Sequence, residues 1–240
     1  MHLSVIIPAY NEEKRLSKTL EEINGYLVKQ NYDYEILVVD NGSTDNTAEI
    51  VRNLENKIKG LKLIEGSAGR GKGFAVKKGM LTAAGDFRIF TDADNSTSID
   101  QVEKMWPEFK AGFDVVIGSR DIKGAILDPP QPWIRQIILG EGFKLYRKII
   151  IGLWGIEDTQ CGFKGFTKKA AEDIFPKSRI SHFAFDPEIL ILAKKMGYKV
   201  KEIPVYWKND LASKVKFQSI IKMAIDLIKI RINLIKKVYG

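Results

Sequence analysis

Short apolar runs alternate with amphipathic stretches through the first half of the chain, and most of the runs end on a polar cluster. Leu3 to Pro8 is a continuous β-rich run, which suits a strand covered on both faces. Asn11-Glu12-Glu13 then opens a helix whose inner face is Leu16, Leu20, Ile23 and Leu27, at helical spacing. Tyr34 to Val39 reads as a second strand, ending at Asp40-Asn41-Gly42-Ser43. Thr44 or Asp45 can cap the following helix, with Ala48, Val51 and Leu54 inward. Leu61 to Ile64 is a third strand, Gly73 to Ala84 a helix, and Phe87 to Thr91 a fourth strand. A helix near Ile99 to Ala111 and a strand from Val115 to Gly118 complete the series.

This alternation predicts an α/β fold, a mostly parallel sheet flanked by helices on both faces with right-handed crossovers. The residues with chemistry in them collect at strand ends: Pro8-Ala9-Tyr10-Asn11-Glu12, Asp40, Asp92, Asp94, Ser119 and Arg120. In such sheets ligands bind at the carboxyl edge. Asp92-Ala93-Asp94 matters most, because carboxylates at i and i+2 beyond a strand can face one crevice. Two hard oxygen donors suit Mg²⁺ or Mn²⁺ shared with a substrate diphosphate. The alternative is a turn in which both acids cap the backbone.

The other clusters also admit two readings. Asp40 with Gly42 is either a turn or a carboxylate that accepts from a base N–H, with Tyr10 stacking nearby. Glu12 is a first-turn acid favoured by the helix dipole or a ribose ligand. Gly66 to Gly73 holds four glycines with Arg70 and Lys72 ahead of a helix, which fits an anion site better than a plain loop. It is not a Walker A loop, since the spacing and the following Ser or Thr are absent.

Composition narrows the partners. The chain has 240 residues, a net charge of +8 and a pI near 9.3. That length suits one large domain or one with a small annex. The charge favours an anionic partner, and no nucleic-acid-binding signature accompanies it. The single cysteine, Cys161, excludes an internal disulfide framework and a cysteine-built zinc site. Leu3 to Pro8 reads as a core strand rather than part of a signal peptide. No uncharged apolar run reaches the length of about 18 residues that a spanning helix needs. A reducing, cytosolic setting is the simplest expectation.

Lys216 to Lys237 reads as a long helix. Lys222, Asp226, Lys229, Asn233 and Lys236 form one narrow polar stripe, and the rest is largely Ile, Leu, Met and Phe, interrupted by Arg231. Such a helix suits a membrane interface. The alternative is that it packs on the catalytic domain or on a second subunit. The apolar stretch from Trp133 to Trp154 could join the same face.

Several of these segments together resemble a known family. Ser4-Val5-Ile6-Ile7-Pro8-Ala9-Tyr10-Asn11-Glu12-Glu13, Ile36-Leu37-Val38-Val39-Asp40-Asn41-Gly42-Ser43-Thr44-Asp45, Gly71-Lys72-Gly73 and Asp92-Ala93-Asp94 resemble the inverting glycosyltransferases of family 2, which have the GT-A fold. Gly118-Ser119-Arg120, Arg135, Asp158 to Lys164, Phe185-Asp186-Pro187-Glu188, Glu202-Ile203-Pro204-Val205 and Ser213-Lys214 resemble the dolichyl-phosphate branch, its β-glucosyltransferases and mannose synthases. Asn41 departs from the second Asp usual there, and Gly69-Arg70 from an Asn-Lys pair.

The resemblance implies a GT-A catalytic domain over 1–214, with a nucleotide-sugar half at 1–120 and an acceptor half at 121–214, followed by the amphipathic helix at 215–240. It implies a nucleotide diphosphate sugar as donor, UDP-glucose favoured and GDP-mannose the alternative. The acceptor would be a polyprenyl (dolichyl) phosphate at the cytosolic membrane surface, and a homo-oligomer is compatible. Pro8, Ala9, Tyr10, Glu12, Asp40, Arg70, Lys72 and Asp92 would line the nucleotide. Asp94, assisted by Asp92, would hold Mg²⁺ or Mn²⁺. Arg120, Arg135 and Lys214 would receive the acceptor phosphate, and Arg suits that task through its planar fork.

Asp158 would shape the acceptor side or, alternatively, be a buried carboxylate paired with Lys164. In processive polymer synthases of the same family an acidic pair such as Glu157-Asp158 supplies a base. Their Gln-x-x-Arg-Trp is missing here, because Gln160 is followed by Cys161-Gly162-Phe163-Lys164. Asp186-Pro187-Glu188 reads as a helix start with Asp as N-cap and Pro at the first position. Cys161 and His182 read as packing or loop residues. The rivals are transfer to a sugar hydroxyl and a non-catalytic nucleotide-sugar-binding module.

Overall fold

The computed structural model describes residues 1–66, 70–130, 141–208 and 217–240, with side chains left out at 217–220. Its strands are β1 (Leu3–Ala9), β2 (Tyr34–Asp40), β3 (Leu61–Glu65), β4 (Phe87–Phe90), β5 (Val115–Ser119), β6 (Ile126–Asp128), β7 (Lys164–Thr167), β8 (Val200–Pro204) and β9 (Tyr206–Lys208). Its helices are α1 (Leu16–Leu27), α2 (Thr47–Glu55), α3 (Lys72–Thr82), α4 (Trp106–Lys110), α5 (Gly142–Ile151), α6 (Lys168–Ile174), α7 (Phe185–Lys195) and α8 (Phe217–Ile235). One seven-stranded sheet runs β3-β2-β1-β4-β7-β5-β8, and β6 pairs with β9 in a separate parallel ribbon. Within the large sheet only β7 is antiparallel to its neighbours.

The apolar runs are buried on both faces, as their composition predicts. Leu3, Val5 and Ile7 of β1 meet Leu16, Leu20, Ile23 and Leu27 of α1 on one side. Ile6, one pleat over, meets Ala75, Val76 and Met80 of α3 on the other. The period of two along a strand thus distributes one apolar segment between two cores.

Three local expectations are corrected, and a fourth is met over part of its length. Asn11 to Arg15 is a turn rather than helix, and α1 starts at Leu16. Asn11 has φ 54°, and the backbone N–H groups of Asn11, Glu12 and Glu13 donate to Ser43, Thr47 and Asp45. The stretch from Ile99 to Ala111 is a 3-10 turn, Ile99–Lys104, followed by α4. Pro107 causes the break, since it lacks the N–H a continuous helix needs there and suits a first turn. α7 begins at Phe185 with Ala184 as N-cap, so Asp186 lies inside its first turn and is buried. Of the apolar stretch ending at Trp154, α5 covers Gly142–Ile151, and 131–140 lies outside the described residues.

The C-terminal helix exists over Phe217–Ile235 and packs against α5 and α7. Leu227 and Ile230 are buried beneath it, and Tyr146 Oη donates to the Ala224 carbonyl. Ile221, Ile225, Ile228, Ile232 and Ile235 face outward, and so do Leu145 and Ile149 of α5. Among the described residues no helix is long and apolar enough to cross a membrane.

Packing between α3 and β1 leaves no slack. A Cβ added at Gly79 would stand 2.4 Å from Ile6 Cγ2 and 3.0 Å from Val39 Cγ2. Gly79→Ala is therefore expected to lower the unfolding free energy by about 1–3 kcal/mol, the usual cost of overpacking, despite its better helix propensity. Urea denaturation of the two proteins measures it.

Candidate active site

The register of the sheet assembles the site. Ala9 lies beside Asp40, and Ile6 beside Phe90, so the segments leaving β1, β2 and β4 emerge along one edge. β7 runs the opposite way, with Lys164 beside Phe90 and Ile117. Its reversal brings the 158–163 segment to the edge where β4 and β5 end.

Asp92 is gripped there. Lys72 Nζ stands 2.5 Å from its Oδ1. On the other side Gly162 presses so close that a Cβ would lie 1.9 Å from Asp92 Oδ2. Burial pushes the Asp92 carboxyl up, but Lys72, and then Lys164 and Arg120, hold it below the usual carboxylate range. Lys72 in turn is opposed by its own burial, yet Asp92, Asp186 and Asp94 keep its ammonium more firmly charged than usual. The two predicted acids therefore share one cation's neighbourhood. Asp94 Oδ1 accepts from Ser96 N at 3.0 Å, and Asp94 Oδ2 is 3.8 Å from Arg15 Nη1.

Among the described residues no group of three or more His, Cys, Asp and Glu side chains could hold a metal. Two carboxylates beside a crevice fit a hard divalent ion that takes its other ligands from phosphate oxygens.

On the nucleotide side, Asp40 is buried and accepts from Ser43 N and Ser43 Oγ, as in a turn. Gly66 approaches it through its N–H, 2.6 Å from the Asp40 carbonyl. Pro8 and Ala9 end β1, and Tyr10 beyond them is 51% exposed with its ring available for stacking. Glu12 pairs with Arg15, at 3.0 Å for Nη2 to Oε1, and that pairing fixes the arginine beside Asp94. Arg70 is exposed and lies 4.9 Å over the Phe74 ring.

The acceptor side departs from expectation in its pairing. Asp158 does not pair with Lys164. It binds Arg120, whose Nε is 2.7 Å from Oδ2 and Nη2 3.0 Å from Oδ1. Asp158 also accepts from the backbone N–H groups of Arg120, Gln160 and Cys161. Burial pushes its carboxyl up, but the charge and hydrogen bonds of Arg120, and then the charge of Lys164, hold it well below the ordinary range. A carboxylate so occupied is a poor proton acceptor, so a general-base role does not fit it. Arg120 also stacks 5.2 Å over Trp207. Lys164 instead meets Asp186 at 2.5 Å, both fully buried, and donates to the Cys161 carbonyl. Cys161 is buried, which pushes its thiol up to about 11 and makes it a packing residue. Arg135 and Lys214 lie outside the described residues.

Sequence reasoning missed Arg15, Gly162 and the Lys164–Asp186 pair as parts of the site. Only the Lys164 pair carried a signal, a lysine inside an apolar strand-like segment, where a charge needs a partner.

Comparison with known proteins gives the family and the fold. The model of glycosyl transferase family 2 matches residues 4–175. The chain is 39% identical to a dolichyl-phosphate β-glucosyltransferase of Trichomonas vaginalis, over 97% of this chain and 71% of that one. It is 33% identical to the human dolichyl-phosphate β-glucosyltransferase, over 96% of this chain and 75% of that one. Among solved structures it resembles mannosyl-3-phosphoglycerate synthase from Rubrobacter xylanophilus, with TM-score 0.70 and 17% identity over 99% of this chain and 74% of that one. It also resembles glucosyl-3-phosphoglycerate synthase from Mycobacterium tuberculosis in complex with Mn²⁺, UDP and glucosyl-3-phosphoglycerate, with TM-score 0.63 and 17% identity over 95% of this chain and 78% of that one. The arrangement is the GT-A fold.

The Asp158–Arg120 pair has a measurable signature. Asp158→Asn leaves Arg120 without its buried counter-charge and is expected to cost about 3–5 kcal/mol at pH 7. Because the folded carboxyl lies below its unfolded value, this stabilisation is complete above about pH 4 and is lost as pH falls toward the folded value. The gap between wild type and variant in urea titrations should therefore narrow only in acid.

Proposed function

The chain belongs to glycosyltransferase family 2 and, within it, groups with the dolichyl-phosphate β-glucosyltransferases, and from that premise we propose that it transfers glucose from UDP-glucose to a polyprenyl (dolichyl) phosphate. The observation that carries this reading is geometric. Gly162 presses on Asp92, and Asp158, in the same short segment, holds Arg120, so the residues we assign to donor and acceptor are brought together by one stretch of chain.

The chemistry follows from the charges. Donor diphosphate and acceptor phosphate repel, at about 5 Å and an effective dielectric near 20, by roughly 3 kcal/mol per pair of unit charges. Cations must offset that repulsion. Asp94, with Asp92, would hold Mg²⁺ or Mn²⁺, which neutralises charge on a departing diphosphate. Lys72, with Arg70 nearby, adds fixed positive charge on the donor side. Asp158 engages Arg120 through Nε and Nη2 and so orients the guanidinium that we assign to the acceptor phosphate. Arg135 and Lys214 are assigned to the same phosphate by their motifs.

The acceptor needs no base, because a phosphate monoester is ionised near neutral pH. Its oxygen attacks the anomeric carbon opposite the leaving diphosphate, the configuration inverts, and UDP departs. Positioning and electrostatic stabilisation do the catalysis. Asp158 acts by holding Arg120 rather than by taking a proton.

A lipid acceptor calls for a membrane surface, and the reading puts the enzyme there as a peripheral protein, on the cytosolic face. The outward isoleucines of α8, continued by Leu145 and Ile149 of α5, supply the apolar face. Lys222 and Lys229 on the same helix, and Lys236 just beyond it, are exposed and suit anionic headgroups.

Two experiments test the reading. A panel of UDP- and GDP-sugars, with a short polyprenyl phosphate and Mg²⁺ or Mn²⁺, should give lipid-linked product from UDP-glucose. Asp94→Ala should reduce it to background while circular dichroism stays that of wild type, and full turnover in that variant would refute the metal assignment. In the second, the chain should sediment with vesicles of neutral and anionic phospholipid. Ile225→Glu with Ile232→Glu should weaken that binding by about tenfold or more, since each change withdraws an apolar side chain and adds a repelled charge.

A further inference from the structure

Beyond α8 the chain turns back into the domain. Lys237 has φ 53°, and Tyr239 is 8% exposed. The Tyr239 hydroxyl donates to Glu188 Oε1 at 2.7 Å and accepts from Asn233 Nδ2 of α8 at 3.4 Å. Lys177 Nζ donates to the Tyr239 carbonyl at 2.8 Å and to that of Gly240 at 3.2 Å. Glu188, on α7, is wholly buried and lies outside the crevice described above. Its carboxylate accepts from Arg179 N at 3.0 Å and from Ile180 N at 2.9 Å. One buried acid thus joins the end of α8 to the loop that precedes α7.

That loop lies against the first turn of α3. The Ser181 carbonyl accepts from Phe74 N at 3.3 Å. A Cβ at Gly71 would be 2.6 Å from both Ser181 O and His182 Nδ1, and one at Gly73 would be 2.8 Å from Ile180 O. Lys77 Nζ donates to the carbonyls of Pro176 and Ser178. His182 lies within reach of Lys222, Asp226 and Lys229 of α8, where burial first and then the lysines hold its imidazole below the usual range. Lys72, the ligand of Asp92, belongs to that same first turn of α3.

The structure assigns Tyr239 and Glu188 as positioning residues: we propose that they latch the seated α8 to the loop under Lys72, so that seating of α8 and diphosphate binding are coupled. The part concerning diphosphate rests on the nucleotide-sugar reading above. The two states are α8 seated, with Glu188 holding both Tyr239 and the 179–180 amides, and α8 lifted, with the loop losing one of its anchors. A ligand that prefers the seated state must favour seating by the same factor, because coupling between sites is reciprocal. A membrane that holds α8 in place would then raise affinity for the donor.

The test uses the full chain and hydrogen exchange. Without nucleotide, Tyr239→Phe, which keeps the ring and loses only the hydroxyl, should speed exchange of the amides from Gly71 to Lys78 by about fivefold or more. Glu188→Gln should do the same, and Arg231→Gln, on the exposed side of α8, should leave them unchanged. With Mn²⁺ present, Tyr239→Phe should bind UDP about fivefold more weakly or worse, and saturating UDP should slow exchange along α8 in the wild type but not in the variant. Loop amides that exchange alike in wild type and Tyr239→Phe overturn the latch. Acceleration spread equally over β1 and β2 overturns it as well, since that would be general destabilisation. Wild type that binds no UDP while the loop amides respond to Tyr239→Phe leaves the latch standing and removes the nucleotide reading.

Discussion

Carboxylates can stay ionised in a low-dielectric crevice only if cations are delivered to them, and the fold is arranged around that delivery. Lys72 comes from the start of α3, Arg120 from beyond β5, and Lys164 from the first residue of β7. Lys72 touches Asp92 directly, and Lys164 and Arg120 act on it from neighbouring strand ends, because the start of α3 and two strand ends come to one edge of the sheet. Burying charge is costly, and a buried ion pair is weak evidence of stability. Here the pairs set geometry. Lys72 and Gly162 fix Asp92 from opposite sides, and Asp158 fixes the plane of the Arg120 fork.

The division of labour between core and edge follows from the same sheet. Both faces are filled with aliphatic side chains that alternate between two cores. The polar residues assigned to the site lie along the edge, where Ala9, Ala93, Cys161 and Phe163 tie it into one core. Gly162 helps to join the two, because the absence of a side chain there lets backbone and carboxylate touch. Arg15 plays a comparable part on the nucleotide side, where Glu12 turns it toward Asp94.

Much of this was legible in the residues. Each parallel strand in the first half is a short apolar run, and the polar clusters that follow β1, β2, β4 and β5 do meet at one edge. The misses share a cause, which is that they depend on partners far along the chain. The segment from Lys164 to Thr167 is too short and too mixed to announce a central strand, and its reversed direction follows from register alone. Asp158 could have paired with Lys164 by proximity in sequence. The antiparallel insertion of β7 instead points Lys164 at Asp186 and leaves Asp158 to Arg120. The helix expected through Ile99 to Ala111 failed for a local reason, Pro107, that periodicity does not weigh. The stripe of α8 was read correctly as narrow, but part of it faces inward: Asp226 is buried, and Asn233 reaches Tyr239.

The strand order has a consequence for biosynthesis. β1, β2, β3 and β4 pair among themselves, so the amino-terminal half of the sheet can zip up as soon as it leaves the ribosome. β5 cannot join them, for among the described residues its neighbours are β7 and β8. It emerges well before either and must wait as an apolar segment with no hydrogen-bonding partner while the intervening chain is made. A nascent sheet with such a gap exposes an open edge at β4 as well. That interval, rather than the finished protein, is where holdase chaperones have the most to protect.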